Sequence, residues 1–279
     1  MEQPINEHIR VSKRRLKEYE CTLSDRDKAI LRQIQNCRFI QTDQVGRLHF
    51  RRAATPSARL RAATRSLTRL HNLGLVQPLR RRIGGVRAGS SSYVWTLKTA
   101  GSAFLDSLDH KAPKPVRPHE PTYIFLKHIL ATVEVYARLH TMDGVRLQKA
   151  ELEPVCWRTY TAPYGGRAIL KPDLYAVTAV DGYEDHWFFE VDLNTEAPSR
   201  VIRKCEIYRN YYLCGEEQRR IGVFPRVVWI APDDKRRDNL HRHIHEQLND
   251  CEDLFAVITP KDLDTLIRSG AMPVVMGQA

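Results

Sequence analysis

Three carboxylates stand in or beside apolar runs between positions 169 and 194: Asp173 in ILKPDLYAVTAV, and Glu190 and Asp192 in HWFFEVDLN. Strand interiors disfavour acids, and here two follow directly on three aromatics, so they either face solvent or do chemistry. Two residues apart on a strand, Glu190 and Asp192 point to one face, while Phe189 and Val191 point into the core. Carboxylate oxygens on adjacent strands can converge on a hard divalent cation. Such a cation lowers the pKa of bound water and stabilises negative charge. The plainer readings are that Asp173 caps a turn and that Glu190 joins a surface ion pair. Two lysines lie within reach of this chemistry. Lys171 precedes Asp173 by two, and Lys204 shares a helical face with Tyr208 and Tyr211 at i, i+4 and i+7.

The elements that must position these groups are legible as alternating periodicities. YIFLKHILATVEVYARLHT reads as an amphipathic helix and KAELEPVCWRTY as a strand. ILKPDLYAVTAV and HWFFEVDLN are two more strands, joined by the turn VDGYED. SRVIRKCEIYRNYYLC is a helix, PRVVWIAPD a β-branched strand, KRRDNLHRHIHEQLND a polar helix and LFAVITP a last strand. The order α-β-β-β-α-β-α-β is an α/β unit with acids at the ends of its central strands. Before it, Pro113, Pro115, Pro118 and Pro121 mark a helix-hostile linker.

The N-terminal part carries the charge. The chain's net charge is +11, yet from Gln44 to Leu105 there is no Asp or Glu. That window holds eleven arginines and Lys98, so it carries +12 and leaves −1 for the remainder. Solvated faces normally mix signs; exclusion of acids over about sixty residues fits a polyanionic partner. Ser24 to Asp27 can cap a first helix through Ile30, Leu31 and Ile34. Thr42 can cap a second, and Thr55-Pro56 opens a third that ends before Gly74. On the third helix Leu60, Ala63, Leu67 and Leu70 form the expected buried stripe. Arg61, Arg65 and Arg69 form a separate one, with Arg59 near its start. LVQPLRRR and SYVWTLK then read as a basic β-hairpin. This order resembles a winged helix-turn-helix, which implies that the third helix enters the major groove while the hairpin grips the backbone. Helix arginines would reach base edges; Arg80, Arg81, Arg82 and Arg87 of the hairpin would meet phosphates.

No run approaches the roughly 18 apolar residues of a membrane span, and the N-terminus is too polar for a signal peptide. The six cysteines include no Cys-x-x-Cys pair, which suits free thiols in a reducing cytoplasm. The expected organisation is a basic N-terminal arm (1–23), a winged-helix domain (24–110), a Pro-rich linker (111–121) and an α/β domain (122–279).

The α/β order with its acids resembles the restriction-endonuclease-like PD-(D/E)xK fold, giving an α+β two-domain protein overall. In that resemblance Pro172-Asp173 supplies the first acid on the second strand, Glu190 supplies the second on the third, and Glu134 matches an extra acid on the preceding helix. Where the motif has a lysine, this chain has Asp192. Lys204, on the following helix, is the favoured substitute, and Asp192 would suit a third metal ligand beside Asp173 and Glu190. More narrowly, a winged helix, a Pro-rich linker and KPDLY…FFEVD…RKCEIYRNYY…VVWIAPD resemble the replication-relaxation family, over roughly residues 24 to 260. That family includes restriction-endonuclease-like plasmid relaxases of the MOB-C class. The resemblance implies site-specific nicking of one strand of double-stranded DNA at an origin of transfer. It implies Mg²⁺ or Mn²⁺ as cofactor, and relaxosome or coupling proteins as further partners. Asp173, Glu190, Asp192 and Lys204 are the positions that would carry that activity. Tyr208 and Tyr211 are candidates for a covalent nucleophile or for packing on the sheet. His243-Ile244-His245 falls in a helical segment, where the two imidazoles diverge, and is read as a solvated face. Loss of the in-motif lysine keeps open a non-catalytic DNA-binding regulator, and a double-strand endonuclease is the third reading.

Overall fold

A computed structural model of the protein describes residues 12–79, 93–111, 121–163 and 165–271. The fold is α+β, and the chain divides into two compact units, Met1–Ala137 and Arg138–Ala279. The division falls inside a helix and not at the Pro-rich segment, most of which (112–120) lies outside the described residues.

The first unit opens with α1 (Lys13–Thr22), formed by part of what the sequence suggests is an arm. Tyr19 explains its attachment. Its ring meets Phe104 edge-on, and its hydroxyl donates to the Leu73 carbonyl at 2.8 Å. Then follow α2 (Asp25–Cys37), β1 (Ile40–Gln41), α3 (Thr42–His49), α4 (Pro56–Asn72), β2 (Val76–Pro78), β3 (Val94–Leu97), α5 (Thr99–Leu108) and α6 (Tyr123–Thr141). Ser24 and Asp27 close a capping box on α2. Thr55 caps α4 by accepting from the Ala58 amide at 3.1 Å, with Pro56 at the first helical position. β1, β3 and β2 form an antiparallel three-stranded sheet in that order. Ile30, Leu31, Ile34, Ile40, Val45, Leu67 and Leu70 are fully buried. Leu60 departs from the expected stripe. It is 42% exposed, because Ala63, Leu67 and Leu70 already complete the inward face of α4.

The second unit is built on β4 (Arg146–Leu152), the hairpin β5 (Arg158–Thr161) and β6 (Arg167–Leu170), β7 (Leu174–Val180) and β8 (Tyr183–Val191). α7 (Pro198–Cys214), α8 (Glu216–Ile221), β9 (Arg226–Ile230), α9 (Asp234–Gln247), β10 (Phe255–Ile258) and α10 (Leu263–Ser269) complete it. The main sheet runs β10-β9-β8-β7-β4. β8, β9 and β10 are parallel, with α7 and α9 as the helical crossovers that parallel pairing requires. β7 pairs antiparallel with β8 and with β4. Two expected strands are interrupted. KAELEPVCWRTY divides between β4 and β5, and ILKPDLYAVTAV between β6 and β7, because Pro172 offers no amide to a ladder.

Asp181 and Gly182, with φ of 49° and 88°, make the two-residue turn between β7 and β8. This turn sets the register from Val180↔Tyr183 to Leu174↔Phe189. One step further, Asp173 stands across from Glu190.

Candidate functional site

Asp173 sits just before β7, not within it, and the ladder continues through it: its amide donates to the Phe189 carbonyl at 3.2 Å. Its Oδ2 accepts from the Val191 amide at 2.8 Å. Cys156 holds the preceding residue by donating from Sγ to the Pro172 carbonyl at 2.9 Å. Glu190 is 1% exposed on the face of β8 that α7 covers. Two acids directly opposite one another in a ladder repel, so this pair requires a compensating cation.

Lys204 of α7 supplies it. Its Nζ is bonded to Glu190 Oε2 and lies 3.9 Å from Asp173 Oδ1. One turn on, the fully buried Tyr208 donates from its hydroxyl to Glu190 Oε1 at 2.6 Å. The helical period of α7 therefore delivers a cation and a neutral donor to the two oxygens of one carboxylate. Burial pushes Glu190 up to about 8, and Asp173 adds to the rise against the pull of Lys204 and Tyr208. Burial alone would lower Lys204, but the charges of Glu190 and Asp173 outweigh it and raise it. Tyr208 is raised well above an ordinary phenol by burial and by Glu190.

The remaining expected residues are placed elsewhere. Asp192 accepts from Arg236 of α9, from Nε at 2.6 Å and from Nη2 at 3.2 Å, and from the Asn194 amide at 3.1 Å. Its carboxylate is thus held by a buried guanidinium and is not gathered with Asp173 and Glu190. Glu134 bonds Arg47 at 2.8 Å and Gln44 at 3.2 Å within the first unit, so it is engaged there. Tyr211 donates to Glu217, a buried acid also bonded by Arg220 and 3.5 Å from Arg158. Lys171 lies over the Trp157 ring at 4.6 Å, away from the acids. His243 and His245 lie on α9; His245 contacts Glu252 at 2.6 Å.

Among the described residues, no three His, Cys, Asp or Glu side chains are grouped as a metal cage. The two carboxylates that do converge still fit Mg²⁺ or Mn²⁺ by donor chemistry. Such hard ions are commonly held by one or two carboxylates, with waters and phosphate oxygens completing the shell.

In the first unit Arg61 and Arg65 are exposed on α4, and Arg51 and Arg52 are exposed on the turn before it. Arg59 is half-buried, its Nε without a partner. Arg69 is not a free base-reading side chain, because it is bonded to Asp27 in the cap of α2. Burial would raise Asp27, but its bonds from Ser24 and Arg69 hold it below the usual carboxylate range. Arg80, Arg81, Arg82 and Arg87 lie outside the described residues.

Sequence reasoning missed Arg236 as the partner of Asp192 and Tyr208 as a donor to Glu190. The Tyr208 contact was accessible, since Lys204 and Tyr208 are one turn apart. Nothing in KRRDN distinguished Arg236 from its neighbours.

No helix among the described residues is long and apolar enough to cross a membrane. No curated protein and no solved structure matches the chain. A family model described as replication-relaxation matches residues 31–227, most of both units. The chain therefore belongs to the replication-relaxation family, and its role lies in replication or mobilisation.

Proposed function

We propose that this protein is a cytoplasmic, metal-dependent DNA nickase of the relaxase kind, acting at a specific origin site in plasmid or mobile-element DNA. The first unit is read as a winged helix-turn-helix. Supporting this are the order α2-β1-α3-α4-β2-β3, the sheet order β1-β3-β2 and the exposed Arg61 and Arg65 on α4. The second unit is read as a PD-(D/E)xK domain of the MOB-C type. The observation that carries this is the convergence of Asp173 and Glu190, from adjacent strands, on Lys204.

In this reading Asp173 and Glu190 hold the Mg²⁺ or Mn²⁺, which when bound supplies Lewis acidity and a water of lowered pKa. Lys204 keeps the two carboxylates from repelling one another and presents an ammonium to the charge on the scissile phosphate. Tyr208 fixes the rotamer of Glu190 through Oε1, and the Val191 amide fixes Asp173 through Oδ2. Asp192 acts structurally through Arg236, and a double-stranded origin site is the partner, with relaxosome proteins around it.

Supercoiled cognate plasmid incubated with protein and Mg²⁺ or Mn²⁺ tests the reading. Open circles are expected from the wild type, and none from Asp173→Ala or Glu190→Ala. A wild type that relaxes nothing with either metal sinks the enzyme, and relaxation that survives both substitutions sinks the site. A linear product would instead mark a double-strand endonuclease. The second reading, a non-catalytic DNA-binding regulator, is favoured by one observation: each of the three acids already has a basic partner, Asp173 and Glu190 in Lys204 and Asp192 in Arg236.

A further inference from the structure

Beside the end of β8 opens a polar cavity of about 720 Å³, lined by Asn194, Lys235, Arg236, Asn239 and Arg242. We infer that this cavity binds backbone phosphates of a single DNA strand, next to the Asp173–Glu190 pair. The inference rests on the nuclease reading above and gives it a substrate-holding surface.

Arg236 forms the fixed wall. It is 6% exposed, with Nε and Nη2 held by Asp192 and Nη2 also donating to the Glu196 carbonyl at 2.8 Å. Three bonds define its plane, and among the described residues Nη1 is the terminal donor left over. A guanidinium oriented in this way is suited to a phosphate oxygen. Lys235 and Arg242 are exposed and have no acidic partner among the described residues. Their neighbours differ. Arg237 is paired with Asp234 and Asp238, and Lys261 with Asp234.

Two acids also line the cavity, Asp233 and Asp238. Asp233 caps α9 by accepting from the Arg236 amide at 2.8 Å, and Asp238 is neutralised by Arg237 at 2.7 Å. The unbalanced charge facing the space is therefore positive.

Lys235, Asn239 and Arg242 step by four and three, so they share one face of α9 over roughly 10 Å at 1.5 Å per residue. That length takes more than one phosphate of a strand. Asp192 stands one residue past β8 and continues its ladder, its amide donating to the Ile230 carbonyl at 3.0 Å, so by alternation it keeps the side of Glu190 roughly 7 Å further on. A strand lying on α9 therefore passes close to the acid pair. Asp192 stands where the motif would have a lysine, and on this reading it fixes a guanidinium in place of that missing ammonium.

The test is anisotropy of a labelled single-stranded oligonucleotide with full-length protein in chelator, from about 50 to 200 mM salt. Lys235→Gln/Arg242→Gln removes two surface contacts and keeps the buried Asp192–Arg236 pair. It should weaken binding by about 25-fold at 0.1 M salt and flatten the log–log salt slope by about 1.4, at roughly 0.7 per phosphate contact. Arg209→Gln/Lys261→Gln, which removes equal charge from ion-paired positions outside the cavity lining, should change neither. Unchanged binding in the first variant, or equal loss in both, overturns the inference. Nicking that remains intact while binding is unmoved sinks this surface alone. Binding that depends on Lys235 and Arg242 in a protein that never nicks sinks the nuclease reading and leaves the strand-binding surface standing.

Discussion

Arg236 grips Asp192 with two donors of one guanidinium, at 2.6 and 3.2 Å, and both side chains are buried. Removing one partner of such a pair strands the other charge in the interior. Asp192→Ala should therefore cost about 3–5 kcal/mol in urea denaturation. Asp192→Lys, which restores the residue type of the related motif, should cost at least as much because it places two cations together. Replacing both partners, as in Asp192→Leu/Arg236→Met, should recover most of the loss. An Asp192→Ala protein of wild-type stability would contradict this account and return Asp192 to the list of ligands.

Tyr208 is fully buried and donates to Glu190, which is the geometry of a positioning residue, not of an exposed nucleophile. Tyr208→Phe should lower stability by about 1–3 kcal/mol. It should keep plasmid relaxation within about tenfold of wild type, roughly 1.4 kcal/mol. The nicked strand should migrate free of protein on a denaturing gel. A covalent protein–DNA band that vanishes in Tyr208→Phe would overturn this assignment.

On α4, Arg65 and Arg69 are one turn apart but are expected to respond differently. Arg65→Ala should leave stability within about 0.5 kcal/mol and weaken binding to the specific duplex by about 1–3 kcal/mol. Arg69→Ala should lower stability by about 1 kcal/mol, because Asp27 loses a charged donor. Asp27 has a depressed pKa, so its contribution is present above its unfolded value of 3.8 and is lost as pH falls through the lower folded value. The stability gap between wild type and Arg69→Ala should therefore close in acid, as followed by denaturation at several pH values. A gap that persists or widens there would separate Arg69 from Asp27.

Glu190 predicts the opposite trend. Its pKa is raised from 4.5 to about 8. Protonation therefore favours the folded state, and the contribution is complete below pH 4.5 and lost as pH rises through about 8. Wild-type stability should fall across that interval by on the order of a few kcal/mol, and Glu190→Gln should flatten the fall. A wild type that gains stability from pH 5 to pH 8 would show that Lys204 dominates burial.

Much of the scaffold was legible because its signals are local. Ser24-Asp27, Thr55-Pro56 and Gly74 bound their helices by chemistry that needs no tertiary partner. Asp181-Gly182 marked the hairpin in the same way. Lys204 beside Glu190 was accessible because a strand and the next helix each keep one face. The pairings of charged residues were not legible for one physical reason, since each depends on which of several similar charges finds which partner. Leu60 departs for a different reason: periodicity alone does not tell where a helix face meets its neighbour. The partner of Arg69 was hidden because its acid lies 42 positions away in sequence. The partner of Asp192 was hidden because Arg236, 44 positions on, looks like any other basic residue in KRRDN.

The turn at Asp181 and Gly182 works as a ruler for chemistry at the far end of its hairpin. Seven ladder pairs separate it from the place where Asp173 meets Glu190. A strand alternates faces at every residue, so the ruler reads in whole units. One residue inserted at the turn slips the count by one, and the two acids part although neither has been touched. The β5–β6 hairpin pairs only with itself and keeps no such count. Length changes should therefore be tolerated there and excluded at the turn, an asymmetry that a pair of single-residue insertions would expose.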